Sequence, residues 1–148
     1  MIWKVKKFEE LHVDEFHDIL QLRIDVFVVE QDCPYSELDG KDRMAYHFFG
    51  RTKEQGKIVA YTRLFHPGDY YEQAAIGRVV VHRDYRHKGI GYALMENSIQ
   101  QVKELFHTDQ IKIGAQTYLK KFYESLGFQK VGEGYLEDGI PHIYMVKN

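Results

Sequence analysis

The apolar residues follow two kinds of spacing along the chain, one suited to strands and one to helices. Ile2, Trp3 and Val5 predict a short first strand. From Asp14 to about Glu30 the residues Phe16, Ile19, Leu20, Ile24, Phe27 and Val28 recur at helical spacing. Asp14 is the expected N-cap, and Glu15 suits the positive helix start. The stretch QDCPYSELDGKD is expected as a loop, because Pro34, Ser36, Asp39 and Gly40 all break regular structure. Two strand-like runs come next, Ala45 to Arg51 and Lys57 to Phe65. Between them TKEQG ends in a glycine suited to positive φ, so the pair reads as a hairpin. A second loop, HPGDYYEQA, leads to a third, β-branched strand from Ala75 to His82.

A long helix is expected from about Gly89 to Phe106, with Ile90, Leu94, Met95, Ile99, Val102, Leu105 and Phe106 on one stripe. Ile111 to Ala115 is a short strand. TYLKKFYESLG is a short helix that Gly127 can cap. FQKVGEGYL and HIYMVK make a closing strand pair joined by the turn EDGIP. The order β, α, ββ, β, α, β, α, ββ predicts one α/β (α+β) domain over residues 1–148, with a mixed sheet rather than a regular βαβ wind.

Composition narrows the partners. Lys and Arg number 20 against 22 Asp and Glu, a net charge of −2. Nucleic-acid and polybasic membrane binders carry an excess of basic residues, so neither partner is expected. Cys33 is the one cysteine, which forbids an intrachain disulfide and suits a reducing compartment. The N-terminal segment has no apolar block of signal-peptide length. A cytoplasmic protein is therefore expected. The eight histidines show no metal-ligating spacing, so no metal is expected.

The chemistry concentrates in VVVHRDYRHKGIGYALM, Val79 to Met95. A strand runs into a basic, glycine-containing turn that opens a helix. Helix starts offer backbone N–H groups without internal partners and a partial positive charge. Gly89 and Gly91 allow an anion to approach the backbone, and Arg83, Arg86, His87 and Lys88 raise the local potential. The pattern suits a pyrophosphate. It is neither a Walker loop nor a dinucleotide fingerprint, since GxxxxGK[ST] is absent and Leu94 stands where the third glycine would be.

Arg86-His87-Lys88-Gly89-Ile90-Gly91 resembles the [RQ]-x-x-G-x-[GA] motif of the GNAT superfamily of N-acetyltransferases. Phe122-Tyr123-Glu124-Ser125-Leu126-Gly127-Phe128 resembles their FY-x-x-x-GF helix-to-strand turn. LQLRIDVFVVEQDCPYSELDG, IGRVVV, GAQ and EDGIPHIYM resemble the ElaA-like branch. The resemblance runs from about Leu20 to Met145. It implies a GNAT fold, a central, mixed, largely antiparallel twisted sheet flanked by helices. It also implies a transferase using acetyl-CoA as co-substrate. By that resemblance the backbone of Val79, Val80 and Val81 would bind the pantetheine arm. The amides from His87 through Lys88, Gly89, Ile90 and Gly91 to Tyr92 would hold the pyrophosphate. Gln116 would contact the arm, and Tyr123 would protonate the leaving thiolate.

The acceptor implied is a primary amine on a small molecule, peptide or protein. An alkylamine with a pKa near 10.4 is only about one part in 10³ neutral at pH 7, so proton removal needs help. Some superfamily members carry a Glu on the strand before the glycine loop or after the long helix. Neither AIGRVVVH nor IKIGA has a carboxylate. Glu30, His47 and His142 remain as base candidates, with ordered water as the alternative. Glu37, Asp39, Asp42, Asp69 and Glu72 lie in loops that could rim an acceptor cleft or simply be solvated. Cys33 has no sequence neighbour suited to activating it. A non-catalytic acyl-CoA sensor on the same fold is the second reading. The C-terminal strand pair could serve as a homodimer edge.

Overall fold

The computed structural model describes residues 1–148. Strand β1 (Ile2–Lys7) is followed by helix α1 (Val13–Ile24). His12, not Asp14, precedes the helix, and its N–H donates to Glu15 Oε1 at 2.9 Å. The carboxylate three residues on thus supplies the cap that Asp14 was expected to give. The expected helix to Glu30 also changes character. Residues Asp25–Glu30 widen into a π-turn, a device that re-aims side chains and recurs at functional sites. Here it brings Phe27 and Glu30 to the wall of the main cleft.

The remaining elements are β2 (Tyr46–Arg51), β3 (Ile58–Phe65), β4 (Ala74–Val81), α2 (Ile90–Phe106), β5 (Ile111–Gln116), α3 (Lys120–Glu124), β6 (Gln129–Glu137) and β7 (Ile140–Lys147). Gly56 turns the β2–β3 hairpin at φ 66°, and Asp138 and Gly139 turn β6 into β7 at φ 50° and 80°. Paired positive φ values suit a two-residue hairpin turn.

The seven strands form one sheet, in the order β1-β2-β3-β4-β5-β7-β6. Every neighbouring pair is antiparallel except β4 and β5. That parallel ladder is short. Ala74 pairs with Ile111 and Ala75 with Lys112, and beyond them the strands part. β4 also bulges: Gly77 faces Arg63 and Val80 faces Tyr61, so Arg78 and Val79 together oppose Thr62. Arg78 sits at φ 47°, a left-handed conformation that side chains rarely adopt. The bulge resets the inward–outward alternation.

The core lies on both faces of the sheet. On one, Leu94, Met95 and Val102 of α2 pack with Phe48, Leu64, Ile113, Tyr123, Phe128 and Met145. On the other, Ile19 and Leu22 of α1 pack with Phe49, Tyr61 and Val80. The segment between the π-turn and β2 is strapped to this second face by ion pairs. Arg23 Nε donates to Glu37 at 2.6 Å and its Nη1 to Asp42 at 2.8 Å. Arg63 meets Asp39 at 2.9 and 2.5 Å and Asp42 at 3.2 Å. Arg78 Nε donates to Glu37 at 2.8 Å, and Tyr35 donates its hydroxyl hydrogen to Glu37 as well. Three guanidinium groups thus face three carboxylates. Glu37 and Asp42 are buried, so they do not rim a cleft. They are internal counter-charges, which buried arginines require.

Candidate active site

Where β4 and β5 part, a cleft of about 870 Å³ opens, within the range of small-molecule sites. Of the residues singled out from sequence, Glu30, Val79, Val80, Val81, Arg86, His87, Gly91, Gln116, Tyr123 and His142 all line it. Lys88, Gly89, Ile90 and Tyr92 stand outside its wall, in and just before the first turn of α2.

That turn has the properties an anion needs. Gly89 precedes the helix at φ 78°, and a β-carbon there would meet nothing within 4 Å. The glycine is therefore required by backbone conformation and leaves open space. The amides of Ile90, Gly91 and Tyr92 have no partner inside the helix, and no acidic residue occupies the first turn. His87 holds φ 62°. These features fit the diphosphate of coenzyme A.

Arg86 connects this loop to the π-turn. Its Nε donates to the Val81 carbonyl at 3.0 Å, and its terminal nitrogens bind Glu30 at 2.5 and 3.0 Å. Hydrogen bonding from Arg86 holds the Glu30 carboxyl below its usual range. A carboxylate held ionised by a guanidinium is a poor proton acceptor, so the structure argues against Glu30 as the base. The Val81 carbonyl is also occupied, which leaves the strand's other polar groups for a pantetheine arm. Gln116 reaches back to the end of the π-turn, sharing amide hydrogen bonds of 3.4 Å with Gln31.

Tyr123 comes from α3. It is buried, with its ring edge-on to Phe122 at 5.1 Å and Phe128 at 6.1 Å. Its hydroxyl has no hydrogen-bond partner within the chain, and burial pushes its pKa up. The phenol therefore stays protonated and its hydrogen is free for a group in the cleft.

His142 stands on β7 opposite Gln116. Its neighbour Ile143 packs into the α2-side core, so strand alternation turns His142 to the opposite face. Its Nδ1 lies 2.7 Å from the Ile140 carbonyl. A carbonyl only accepts, so Nδ1 carries a hydrogen. Nε2 lies 3.4 Å from Glu137, and the ring stacks on Tyr135 at 5.6 Å. His47 is elsewhere. It is buried between the Tyr61 hydroxyl at 2.6 Å and the Asp42 carbonyl at 2.9 Å, and it is not part of the cleft wall. Burial lowers its pKa, and its place outside the cleft wall, with both ring nitrogens engaged, argues against it as the base.

Residues 17–148 match the acetyltransferase (GNAT) domain. The chain belongs to the GNAT acetyltransferase family. Among its relatives, Escherichia coli (strain K12) ElaA is 39% identical over 147 residues, covering 98% of this chain and 95% of ElaA. A UPF0039 protein of Synechocystis is 38% identical over 144 residues, covering 97% of this chain and 93% of its own. The crystal structure of an acyl-CoA N-acyltransferase from Pseudomonas aeruginosa superposes with a TM-score of 0.93 at 39% identity, covering all of both chains. The ElaA crystal structure gives 0.91 at 38% identity, covering 99% of each. The GNAT fold and the ElaA-like resemblance are thus established, mixed sheet included.

Periodicity does not reveal the ion-pair strap, Tyr35 or Glu137. One signal was available. Arg23, Arg63 and Arg78 each interrupt an apolar run, and a charge in such a place must find a buried partner.

Proposed function

We propose that this GNAT protein moves the acetyl group of acetyl-CoA to a primary amine by direct attack, with Tyr123 as general acid and His142 as base. The observation that carries this reading is the shared cleft. An unpartnered, protonated phenol comes from the α2 face, and an imidazole held through Nδ1 on the Ile140 carbonyl comes from the opposite face. The two proton tasks of acyl transfer, removal from the amine and delivery to the departing sulfur, have separate groups on separate sides.

The co-substrate supplies the activated acyl group. The chain's residues do the rest. The amides of Ile90 to Tyr92 and the side chain of His87 hold the diphosphate, a role that the helix start is built for. A β4 amide near Val80 or Val81 meets negative charge developing on the acyl oxygen. His142 Nε2 takes the amine proton, directly or through one water, and Glu137 steadies the imidazolium. Tyr123 donates its hydrogen to the sulfur. Donation needs the protonated phenol, and the raised pKa secures that form.

Thiol release from acetyl-CoA over a panel of amines tests the reading. Turnover with at least one amine, lost in Tyr123→Phe, is the expected result. Coenzyme A binding without turnover on any amine would instead support a sensor domain.

A further inference from the structure

The molecule has one fully buried side-chain nitrogen or oxygen without a hydrogen-bond partner, Nε of Arg63. Its terminal nitrogens are taken by Asp39 and Asp42, but Nε–H is left over. Native proteins rarely bury a donor unpaired, and each case calls for an explanation. Arg63 is 1% exposed and forms part of the wall of a second, smaller cavity of about 60 Å³, shared with Tyr70, Tyr71, Gly77, Gly114 and Tyr135. That is room for about two waters or one planar polar group.

Two glycines on the parted strands make this space. A β-carbon on Gly77 would sit 3.8 Å from Arg63 Nε. A β-carbon on Gly114 would collide with the Tyr135 hydroxyl at 2.6 Å and press on that of Tyr71 at 3.3 Å. These two tyrosines and the Arg63 side chain thus line one small cavity beside the strand opening. The small cavity shares Tyr70, Ile76, Gly77, Arg78, Gly114 and Glu137 with the main cleft, so the two adjoin. Gly114 lies two residues from Gln116, the partner of His142. At roughly 3.3 Å per residue that places the small cavity about 7 Å along the strand from the proposed base.

We infer that this pocket is an acceptor subsite, and that it receives the carbonyl oxygen of an amide borne by the amine substrate. The inference rests on the acetyl-transfer reading for its meaning. The ligand must accept a hydrogen bond, because Arg63 Nε–H only donates, while the phenols can donate or accept. It is neutral, because Arg23, Arg63 and Arg78 are already balanced by Glu37, Asp39 and Asp42. Glu137 on the rim adds a negative charge that opposes a free carboxylate and favours an ammonium group beside it. An amine joined by a short spacer to an amide meets all three conditions.

Gly77→Ala is the discriminating variant. Its new methyl group makes only ordinary contacts, so the fold survives while the cavity wall gains a methyl group 3.8 Å from Nε. The protein is saturated with coenzyme A and titrated calorimetrically with ω-amino amides of increasing length. Each amide is compared with its matching alkylamine and ω-amino acid. At one spacer length the amide is expected to bind about tenfold or more tightly than either analogue. Gly77→Ala should erase that preference and leave coenzyme A affinity unchanged. Equal binding of amide and alkylamine at every length would overturn the inference, as would a preference that survives Gly77→Ala. In that case Nε meets only water. Because the readout is binding, it is separate from turnover. Amide preference without thiol release would overturn acetyl transfer but keep the pocket, and thiol release without amide preference would do the reverse.

Discussion

At the scale of single residues, the proposed chemistry divides between Tyr123 and His142, and each makes a different prediction. Tyr123→Phe removes one hydroxyl from a ring whose packing is otherwise apolar. kcat should fall by roughly 10²–10⁴-fold, the usual size of general acid catalysis, while calorimetry shows unchanged affinity for coenzyme A. Since burial raises the Tyr123 pKa above its ordinary 10.0, ionisation of that phenol should not limit the rate anywhere below pH 10. A pH–rate profile with an alkaline limb below that value, lost in Tyr123→Phe, would contradict the assignment. Glu30 offers a second test. A base at that position would make Glu30→Gln lose turnover. As the counter-ion of Arg86 it should instead release the guanidinium toward the diphosphate, and calorimetry should show tighter coenzyme A binding. Tyr123 and the Arg86–Gly91 turn were open to sequence reading as candidates because both lie in local patterns. The removal of Glu30 and His47 was not, because their partners Arg86, Tyr61 and the Asp42 carbonyl become neighbours only through the sheet.

At the scale of elements, two features set the site. The first is the entry to α2. Gly89→Ala forces a β-carbon onto φ 78°, a cost of about 1 kcal/mol. The variant should melt lower and bind coenzyme A more weakly, since the first amides of α2 shift with the turn. The second is the anchoring of α1. Burial pushes the Glu15 carboxyl up, but hydrogen bonds from Lys6, the His12 amide and Arg51 outweigh it and hold it at about 2, below its ordinary 4.5. A depressed carboxylate contributes stability above its unfolded pKa and loses it as pH falls through the folded one. Chemical denaturation should therefore show a loss of stability between pH 4.5 and 2 that Glu15→Gln lacks. The elements themselves were mostly legible from apolar spacing. The β4 bulge was not: AAIGRVVV reads as an even β-branched run, and only pairing against β3 reveals that Arg78 and Val79 share one partner. The π-turn was hidden for a similar reason, since DVFVVE keeps helical spacing while its backbone widens.

For the molecule as a whole, the ion-pair strap joins α1, β3, β4 and the segment before β2 into one unit. Arg23 is wholly buried, so Arg23→Met would remove its charge from Glu37 and Asp42 and leave them with only Arg78, Tyr35 and Arg63. The expected loss is about 3–5 kcal/mol, measured by urea denaturation. For Asp42 burial raises the pKa, but Arg23 and Arg63 outweigh it and the net shift is downward from 3.8. Stability from this group is complete above that value and fades as pH falls further. No helix of the chain is long and apolar enough to cross a membrane.

The most direct test follows amide resonances of the isotope-labelled protein during titration with coenzyme A. Saturable shifts should concentrate at Val79–Val81, at His87–Tyr92 and around Tyr123. Shifts confined to other strands, or a spectrum of folded protein that does not respond at all, would contradict the placement of the cofactor between the parted strands.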